Sequence, residues 1–368
     1  MKIGIPREIK NGETRVAMTP NLCRRCVAVG AEVLVEKGAG ERTGFLDVHY
    51  RKAGAKIVPT AAEAWGQADL VAKVKEPQAS EFKYFRADLT LFTYLHLAAC
   101  RDLTAALLKK KTLGIAYESV EGRDGSLPLL KPMSHIAGRL SIQTGAYFLQ
   151  TQKGGSGVLL GGIPGTMPGR VAIVGAGNSG AQACRMAVGM GARVTVLDLD
   201  PRKLEMLDEE YRGGVVTLMA NPGNIELAVA DCDLLIGAVL VPNAKAPTVV
   251  TTAMVKTMRP GSVIVDIAID QGGCIATIKA TSHRDPTFVK HGVVHYAVPN
   301  MPALVGRTST VALTQATEPF MVQIVTEGVE QALVNNVGLA KGINTRNGEL
   351  VNAQVAKALG YRKKKPAV

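Results

Sequence analysis

Arg170-Val171-Ala172-Ile173-Val174 runs directly into Gly175-Ala176-Gly177-Asn178-Ser179-Gly180. An apolar, strand-like run thus feeds a G-x-G-x-x-G turn, and Asn178 to Met190 has the character of a helix. A second apolar run, Arg193 to Leu197, ends at Asp198, eighteen positions after Gly180. Each part has a physical use. Gly175 permits the tight turn, Gly177 lets the backbone approach a pyrophosphate, and Gly180 lets helix and strand pack closely. The free N–H groups of the helix N-terminus then face the anion. Asp198 is placed to accept hydrogen bonds from a ribose diol. The glycine pattern alone is weak. Flanked by strand, helix and a strand-terminal acid, it points to a bound dinucleotide.

Working outward, the chain alternates apolar runs with helix-like segments, the pattern of α/β domains with parallel sheets. Strands are predicted in the first third at 2–5, 32–35, 70–74, 89–94 and 113–117. Six more are predicted at 171–174, 194–197, 215–218, 234–239, 263–267 and 293–297. Six is the number in a complete dinucleotide-binding sheet. Ser134 to Gln150 and Thr308 to Val325 read as junction helices, and the C-terminal tail shows no evident sheet of its own. The simplest architecture is α/β with two doubly wound parallel-sheet domains. Residues 1–128 and 306–368 form a discontinuous catalytic domain, into which a Rossmann domain, 129–305, is inserted.

Composition bounds the function. With 368 residues, 47% of them hydrophobic and 20% charged, the chain is long and apolar enough for two folded cores. No apolar run reaches the roughly 18 residues of a membrane helix. The start, Met1-Lys2-Ile3-Gly4-Ile5-Pro6, lacks a signal-peptide core, so a cytoplasmic address is expected. The net charge of +12 is dispersed apart from Arg362 to Lys365, and aromatics are only 4%, which argues against a nucleic-acid surface. Cys23 and Cys26 form a lone C-x-x-C without the second pair that a structural zinc site needs, and the six cysteines read as reduced thiols. The histidines show no metal-type spacing, so no metal is expected.

In parallel α/β sheets, ligands bind beyond the carboxyl ends of the strands. The residues following each predicted strand are therefore the candidates. Arg15, in the segment after the first strand, has a planar fork that suits a carboxylate, or is a surface loop arginine. Lys75 binds the same carboxylate or polarises a carbonyl, or is a solvated strand-end lysine. His96 interrupts an apolar stretch; it exchanges protons near neutral pH or is a satisfied core histidine. Asp270, beside Gly272 and Gly273, acts on substrate or water, or caps a turn. Asp266, inside a strand, reads as structural.

The sequence also resembles a known family, that of the alanine dehydrogenases and the dinucleotide-binding subunit of proton-pumping nicotinamide nucleotide transhydrogenase. Nearly the whole chain takes part. The carrying segments are Gly4 to Lys10, Glu13 to Ala17, Val74 to Pro77, Phe92 to Ala98, Gly114 to Glu118, Leu160 to Gly165, Gly175 to Gly177, Leu234 to Val241, Val265 to Cys274, Gly292 to Tyr296, Asn300 to Pro302 and Arg307 to Thr310.

The resemblance implies an NAD-dependent L-alanine dehydrogenase acting on L-alanine, pyruvate and ammonium. It gives Arg15 and Lys75 to the substrate carboxylate and carbonyl, and His96 and Asp270 to acid–base work. Ser134 would touch the cofactor phosphates, together with Gly175, Gly177 and Gly180, and Asp198 the adenosine ribose. Lys203, Ala220, Val239, Leu240, Ile267, Asp270, Lys279, Asn300 and Met301 would line the cofactor. Some relatives place a small polar residue where Ala220 stands, and the stretch Ala297 to Gly306 departs from the commonest pattern. A homo-oligomer, a hexamer by family habit, is implied. Alternatives are a transhydrogenase subunit, a dehydrogenase of larger carboxyethyl amino acids, and a non-enzymatic NAD-binding protein.

Overall fold

A computed structural model describes residues 1–239 and 246–361. The chain forms two compact units, one of Met1–Met133 with Ala303–Val368, the other of Ser134–Pro302. The divisions fall within the helix Lys131–Phe148 and just before the helix Gly306–Glu327. The boundaries expected from sequence, 128/129 and 305/306, lie a few residues away, because a continuous helix gives no local signal of where packing changes sides.

In the first unit, six parallel strands come in chain order: β1 (Lys2–Ile5), β2 (Glu32–Glu36), β3 (Lys56–Val58), β4 (Leu70–Ala72), β5 (Thr90–Thr93) and β6 (Leu113–Ala116). They lie in the order β3-β2-β1-β4-β5-β6. The second unit contains β7 (Arg170–Val174), β8 (Arg193–Asp198), β9 (Val216–Met219), β10 (Leu234–Gly237), β11 (Val263–Asp266), β12 (Thr287–Lys290) and β13 (Val293–Tyr296). Here the order is β9-β8-β7-β10-β11-β13, with β12 antiparallel on the outer edge. Counted within each unit, both parallel sheets read 3-2-1-4-5-6, the doubly wound order of dinucleotide-binding folds.

All six predicted strands of the second unit are present. Three elements of the expected description need correction. β3 and β12 are additional strands. Residues at the C-terminal end also form a hairpin, β14 (Ile343–Arg346) and β15 (Glu349–Leu350), where no sheet was expected. That hairpin adds antiparallel to β6 and completes an eight-stranded sheet. Asn347 and Gly348 make its turn with φ of 52° and 82°, the left-handed pair that a tight hairpin requires.

Local chemistry explains several helix starts. Thr19-Pro20, Asp200-Pro201 and Asn221-Pro222 each set a cap residue before a proline, and each cap side chain accepts an N–H of the first turn. The proline supplies the helical φ and has no N–H to leave unpaired. Strands buried on both faces, such as β10 and β11, read as continuous apolar runs because helices cover both sides of a parallel sheet. Among the described residues, no helix is long and apolar enough to cross a membrane.

Candidate active site

The crevice of a doubly wound sheet opens where the chain reverses direction, between the first strand and the fourth. In the first unit this point lies after β1 and β4, and it is filled with charge. Glu8 is buried; its carboxylate accepts the Val74 N–H at 2.6 Å and the Lys73 ammonium at 3.1 Å. Lys73, 1% exposed, also pairs with Glu81 at 3.0 Å. Burial pushes the Glu8 carboxyl up, and Lys73 opposes that shift. This knot ties the segment after β1 to the segment after β4.

The same segment presents Arg15. Its Nε and Nη2 donate to both oxygens of Glu13, at 2.7 and 2.6 Å, and Nη1 reaches Met133 Sδ at 3.0 Å. Both side chains of the pair are at most 2% exposed. Burial would lower the Arg15 guanidinium, but the Glu13 bonds and charge outweigh it and hold Arg15 above its usual value. Removing one member of such a pair strands a buried charge, at a cost of about 3–5 kcal/mol. Arg15 is therefore no surface loop arginine. Its fork is fixed in orientation by Glu13, a residue to which sequence reasoning assigned no role.

Lys75, buried just past the end of β4, points its Nζ at His96 Nε2, 3.2 Å away. An ammonium has only donors, so Nε2 is the acceptor and the proton of the neutral ring sits on Nδ1. Nδ1 lies 4.0 Å from Glu118 Oε1. Of the His96 side chain, 38% is open to solvent. Desolvation, and then the charges of Lys75, Lys10 and Arg15, hold His96 well below its usual 6.5. His96 is thus a neutral imidazole among cations, not a satisfied core histidine. Its backbone is left-handed, with φ of 48°, a conformation that costs a non-glycine residue about 1 kcal/mol. Arg15, Lys75 and His96, drawn from the ends of three different strands, therefore share one cationic recess. Lys10, ion-paired with Glu76, adds to its charge.

In the second unit the equivalent point lies after β7 and β10, and it is built of backbone. Gly175 has φ of 104°, and a Cβ there would meet the Ala238 carbonyl oxygen at 2.6 Å. At Gly180 a Cβ would meet the Gly175 carbonyl oxygen at 1.7 Å, so helix and loop touch. Gly177 differs, since no atom beyond its chain neighbours lies within 4 Å of its Cβ position. Two glycines are thus needed for protein packing, and the middle one borders open space at the helix N-terminus. That combination fits a dinucleotide pyrophosphate.

Asp198, at the end of β8 and 9% exposed, accepts the Ala176 N–H at 2.6 Å and the Asp200 N–H at 2.8 Å. Lys203 lies 3.4 Å from the same carboxylate. A carboxylate has about four acceptor sites, so capacity remains for a ribose hydroxyl. Ala220 follows β9 and donates its N–H to Asp198 C=O at 2.9 Å. Ser134 lies one helical turn before Gly138, where a Cβ would meet the Ser179 carbonyl oxygen at 2.1 Å. Residues four apart share a helix face, so Ser134 lies on the same face as Gly138, which meets the glycine-loop helix.

Other cofactor candidates are distributed along the same edge. The Val239 N atom lies 3.2 Å from the Cβ position of Gly175, and Ile267 opens the turn after β11. Lys279 is not brought to Asp198; its ammonium sits over the Phe288 ring, on the opposite flank of the sheet. Met301 packs its side chain into the core of this unit, which leaves its backbone for any ligand. Leu240 lies outside the described residues. Asp270 is exposed in the turn Ile267–Gln271, and its carboxylate accepts the Asn300 N–H at 3.2 and 3.4 Å. Asn300 is itself left-handed, with φ of 60°. Asp266 is structural, capping the turn through Ala268 N–H and holding the Cys274 and Ile275 N–H groups. Burial raises its carboxyl to about 6.

Comparison with known proteins matches residues 4–137 to the N-terminal domain model of alanine dehydrogenase/PNT, and residues 141–353 to the C-terminal one. The chain belongs to the alanine dehydrogenase/PNT family. It is 55% identical to the alanine dehydrogenase of Staphylococcus saprophyticus, over 98% of this chain and 97% of that protein. A Methanococcus maripaludis alanine dehydrogenase is 54% identical, over 97% of this chain and 96% of its own. Among solved structures, an L-alanine dehydrogenase superposes with a TM-score of 0.95 at 49% identity, covering 98% of this chain and 99% of its own. A transhydrogenase from Sinorhizobium meliloti superposes with a TM-score of 0.82 at 24% identity, covering 96% and 99%, and shares the fold.

Proposed function

We propose that this chain is an NAD-dependent L-alanine dehydrogenase, reversibly converting L-alanine to pyruvate and ammonia. The observation that carries this is the meeting of Lys75 with neutral His96 at 3.2 Å, beside the fixed fork of Arg15. A buried guanidinium and an ammonium suit the carboxylate of a small amino or keto acid, and a neutral imidazole suits proton transfer.

The residues divide the work. Arg15 and Lys75 bind the substrate carboxylate and carbonyl oxygen, which fixes Cα. Bound NAD would supply the redox chemistry, as acceptor of the hydride from Cα. Once Lys75 turns to the substrate, His96 Nε2 takes a proton from the water that adds to iminopyruvate. Asp270 orients that water or the leaving amine, and ammonia departs to give pyruvate. For the cofactor, Ser134 and the Gly175, Gly177 and Gly180 loop hold the phosphates and Asp198 with Lys203 the adenosine ribose. Ala220, Val239, Leu240, Ile267, Lys279, Asn300 and Met301 line the remainder. In domain terms, the discontinuous unit handles substrate and the inserted unit handles NAD.

The enzyme is read as a cytoplasmic homo-oligomer, a hexamer. Leu159, Ile163 and Met167, each more than 60% exposed, give the second unit an apolar patch suited to contact with another copy. Light scattering tests that assembly. The activity itself is tested by following NADH formation with alanine against other amino acids, and NADH consumption with pyruvate plus ammonium. Alanine should be the best substrate, and NAD should outperform NADP because Asp198 repels a 2′-phosphate. Equal use of both cofactors, or no turnover of alanine, would overturn the assignment.

A further inference from the structure

Glu118 is a second carboxylate at this recess to which no role has been given. It stands in the turn Tyr117–Ser119 directly after β6, with 12% of its side chain exposed. Its Oε1 accepts the His96 N–H at 2.6 Å, and both oxygens accept the Leu95 N–H at 3.2 Å. Consecutive N–H groups thus converge on one side chain, at the residue whose φ is 48°. The same Oε1 lies 4.0 Å from His96 Nδ1. A buried carboxylate is expensive unless its bonds are used.

We propose that Glu118 is the positioning residue of His96. Its carboxylate clamps the Leu95 and His96 N–H groups, holds His96 in its left-handed conformation, and sets a negative charge toward Nδ1, so that Nε2 is the atom that exchanges protons with substrate. A hydrogen bond or charge at one ring nitrogen selects which tautomer the other presents. The charged groups and the ring facing the imidazole come from several elements. Lys75 comes from the end of β4, Lys10 and Arg15 from the segment after β1, Glu118 from the end of β6, and the Tyr94 ring lies parallel to it at 5.8 Å. Three cations favour the neutral ring, and the Glu118 carboxylate is a negative charge placed 4.0 Å from Nδ1.

This role rests on the dehydrogenase reading, so the test separates the two. Wild-type enzyme that fails to oxidise alanine with NAD refutes the reading, whatever Glu118 does. For Glu118 itself, the variants are Glu118→Gln and Glu118→Asp, each also made in a His96→Ala background. Glutamine keeps one acceptor oxygen, loses the second, and carries no charge. Expected for Glu118→Gln is a fall in kcat of about 10- to 100-fold, the usual scale for a supporting side chain, with KM for alanine and NAD affinity within about twofold. In the His96→Ala background the same substitution should change kcat by less than about twofold, because its partner is gone. Carbon-labelled histidine NMR, which needs no substrate, should show the His96 ring titrating at lower pH in Glu118→Gln and near the wild-type position in Glu118→Asp. Equal losses in both backgrounds, or an unmoved His96 titration, would overturn the proposal. Should Glu118→Gln fail to fold, Glu118→Asp decides it through the same cycle. Its shorter arm must lower kcat when His96 is present and not when it is absent, and the opposite result refutes the clamp.

Discussion

After the first strand of one sheet the chain places Glu8, Glu13 and Arg15; after the first strand of the other it places Gly175, Gly177 and Gly180. Both segments occupy the same topological position, since both sheets run 3-2-1-4-5-6. The strand order supplies a crevice in each case and says nothing of what enters it. In the first unit, side chains are the tools. They are buried, so each charge is paired, Lys73 with Glu8 and Glu81, and Arg15 with Glu13. In the second unit the tools are backbone N–H groups and the absence of side chains. The first kind of site is damaged by removing atoms and the second by adding them.

The largest expected effect comes from removing atoms. His96→Ala should lower turnover by roughly two to four orders of magnitude, the usual range for a positioned acid or base, while NADH fluorescence titration shows unchanged cofactor affinity. Asp270→Asn should lose turnover on the same scale if its charge does chemistry. Asparagine still accepts the Asn300 N–H, so a folded Asp270→Asn enzyme with normal turnover would mean that Asp270 only caps the turn. The double variant should lose less than the product of the single losses, because both residues serve one set of proton transfers.

Adding atoms comes next. A methyl group at Gly180 would sit 1.7 Å from the Gly175 carbonyl oxygen, a backbone atom that cannot swing aside. Gly180→Ala should therefore destabilise the fold by about 1–3 kcal/mol, visible in thermal unfolding. It should also weaken NADH binding by at least about tenfold. An unaltered melting temperature would show that helix and loop separate easily, and the contrast between the two sites would lose its basis.

A third effect tests the electrostatics of the first site. His96 is held below 6.5 by desolvation and by Lys75, Lys10 and Arg15. Its neutral form therefore persists as pH falls through the ordinary histidine range. The acid limb of kcat/KM for alanine should lie below pH 6.5, and Lys75→Met, by removing one cation, should move that limb up. Folded stability has the same sign. A depressed histidine favours the fold above 6.5 and loses that favour as pH drops, because the unfolded chain binds the proton first. An acid limb that stays in place in Lys75→Met would assign it to another group.

The two sites also differ in how plainly the sequence states them. The glycine site is legible, because its chemistry lies in residues adjacent along the chain, and strands beside it, such as β7, β10 and β11, read as apolar runs. The charged site is half legible. Arg15, Lys75, His96 and Glu118 all stand out as polar residues after strands, but Glu13 does not, and neither carboxylate shows its task. A carboxylate that works by holding an arginine or catching two N–H groups has no characteristic spacing. Missed strands have local causes too. β3 has only three residues, and β12 is an edge strand with no buried residue. The β14 sequence Ile343-Asn344-Thr345-Arg346 is polar although Asn344 and Thr345 are buried. Thr345 Oγ1 donates to Thr112 C=O at 3.0 Å, so its polarity is satisfied inside the protein. The Asn347-Gly348 pair was a hairpin signal in plain view.

The smallest expected change is the sharpest test of the contrast. Gly177→Ala adds a methyl group where no protein atom beyond its chain neighbours lies within 4 Å. The backbone there has φ of −69° and ψ of −168°, which alanine adopts freely. Gly177 is also the residue preceding the helix, where alanine is a slightly poorer cap, so the stability cost should stay within about 1 kcal/mol. Its open space is of use only to a ligand. NADH affinity should therefore fall by roughly tenfold while the melting temperature barely moves, and KM for alanine at saturating NAD should not change. Gly180→Ala, three residues away, should move both. If Gly177→Ala binds NADH as tightly as wild type, the pyrophosphate does not lie against Gly177. The second site would then owe its glycines to packing alone.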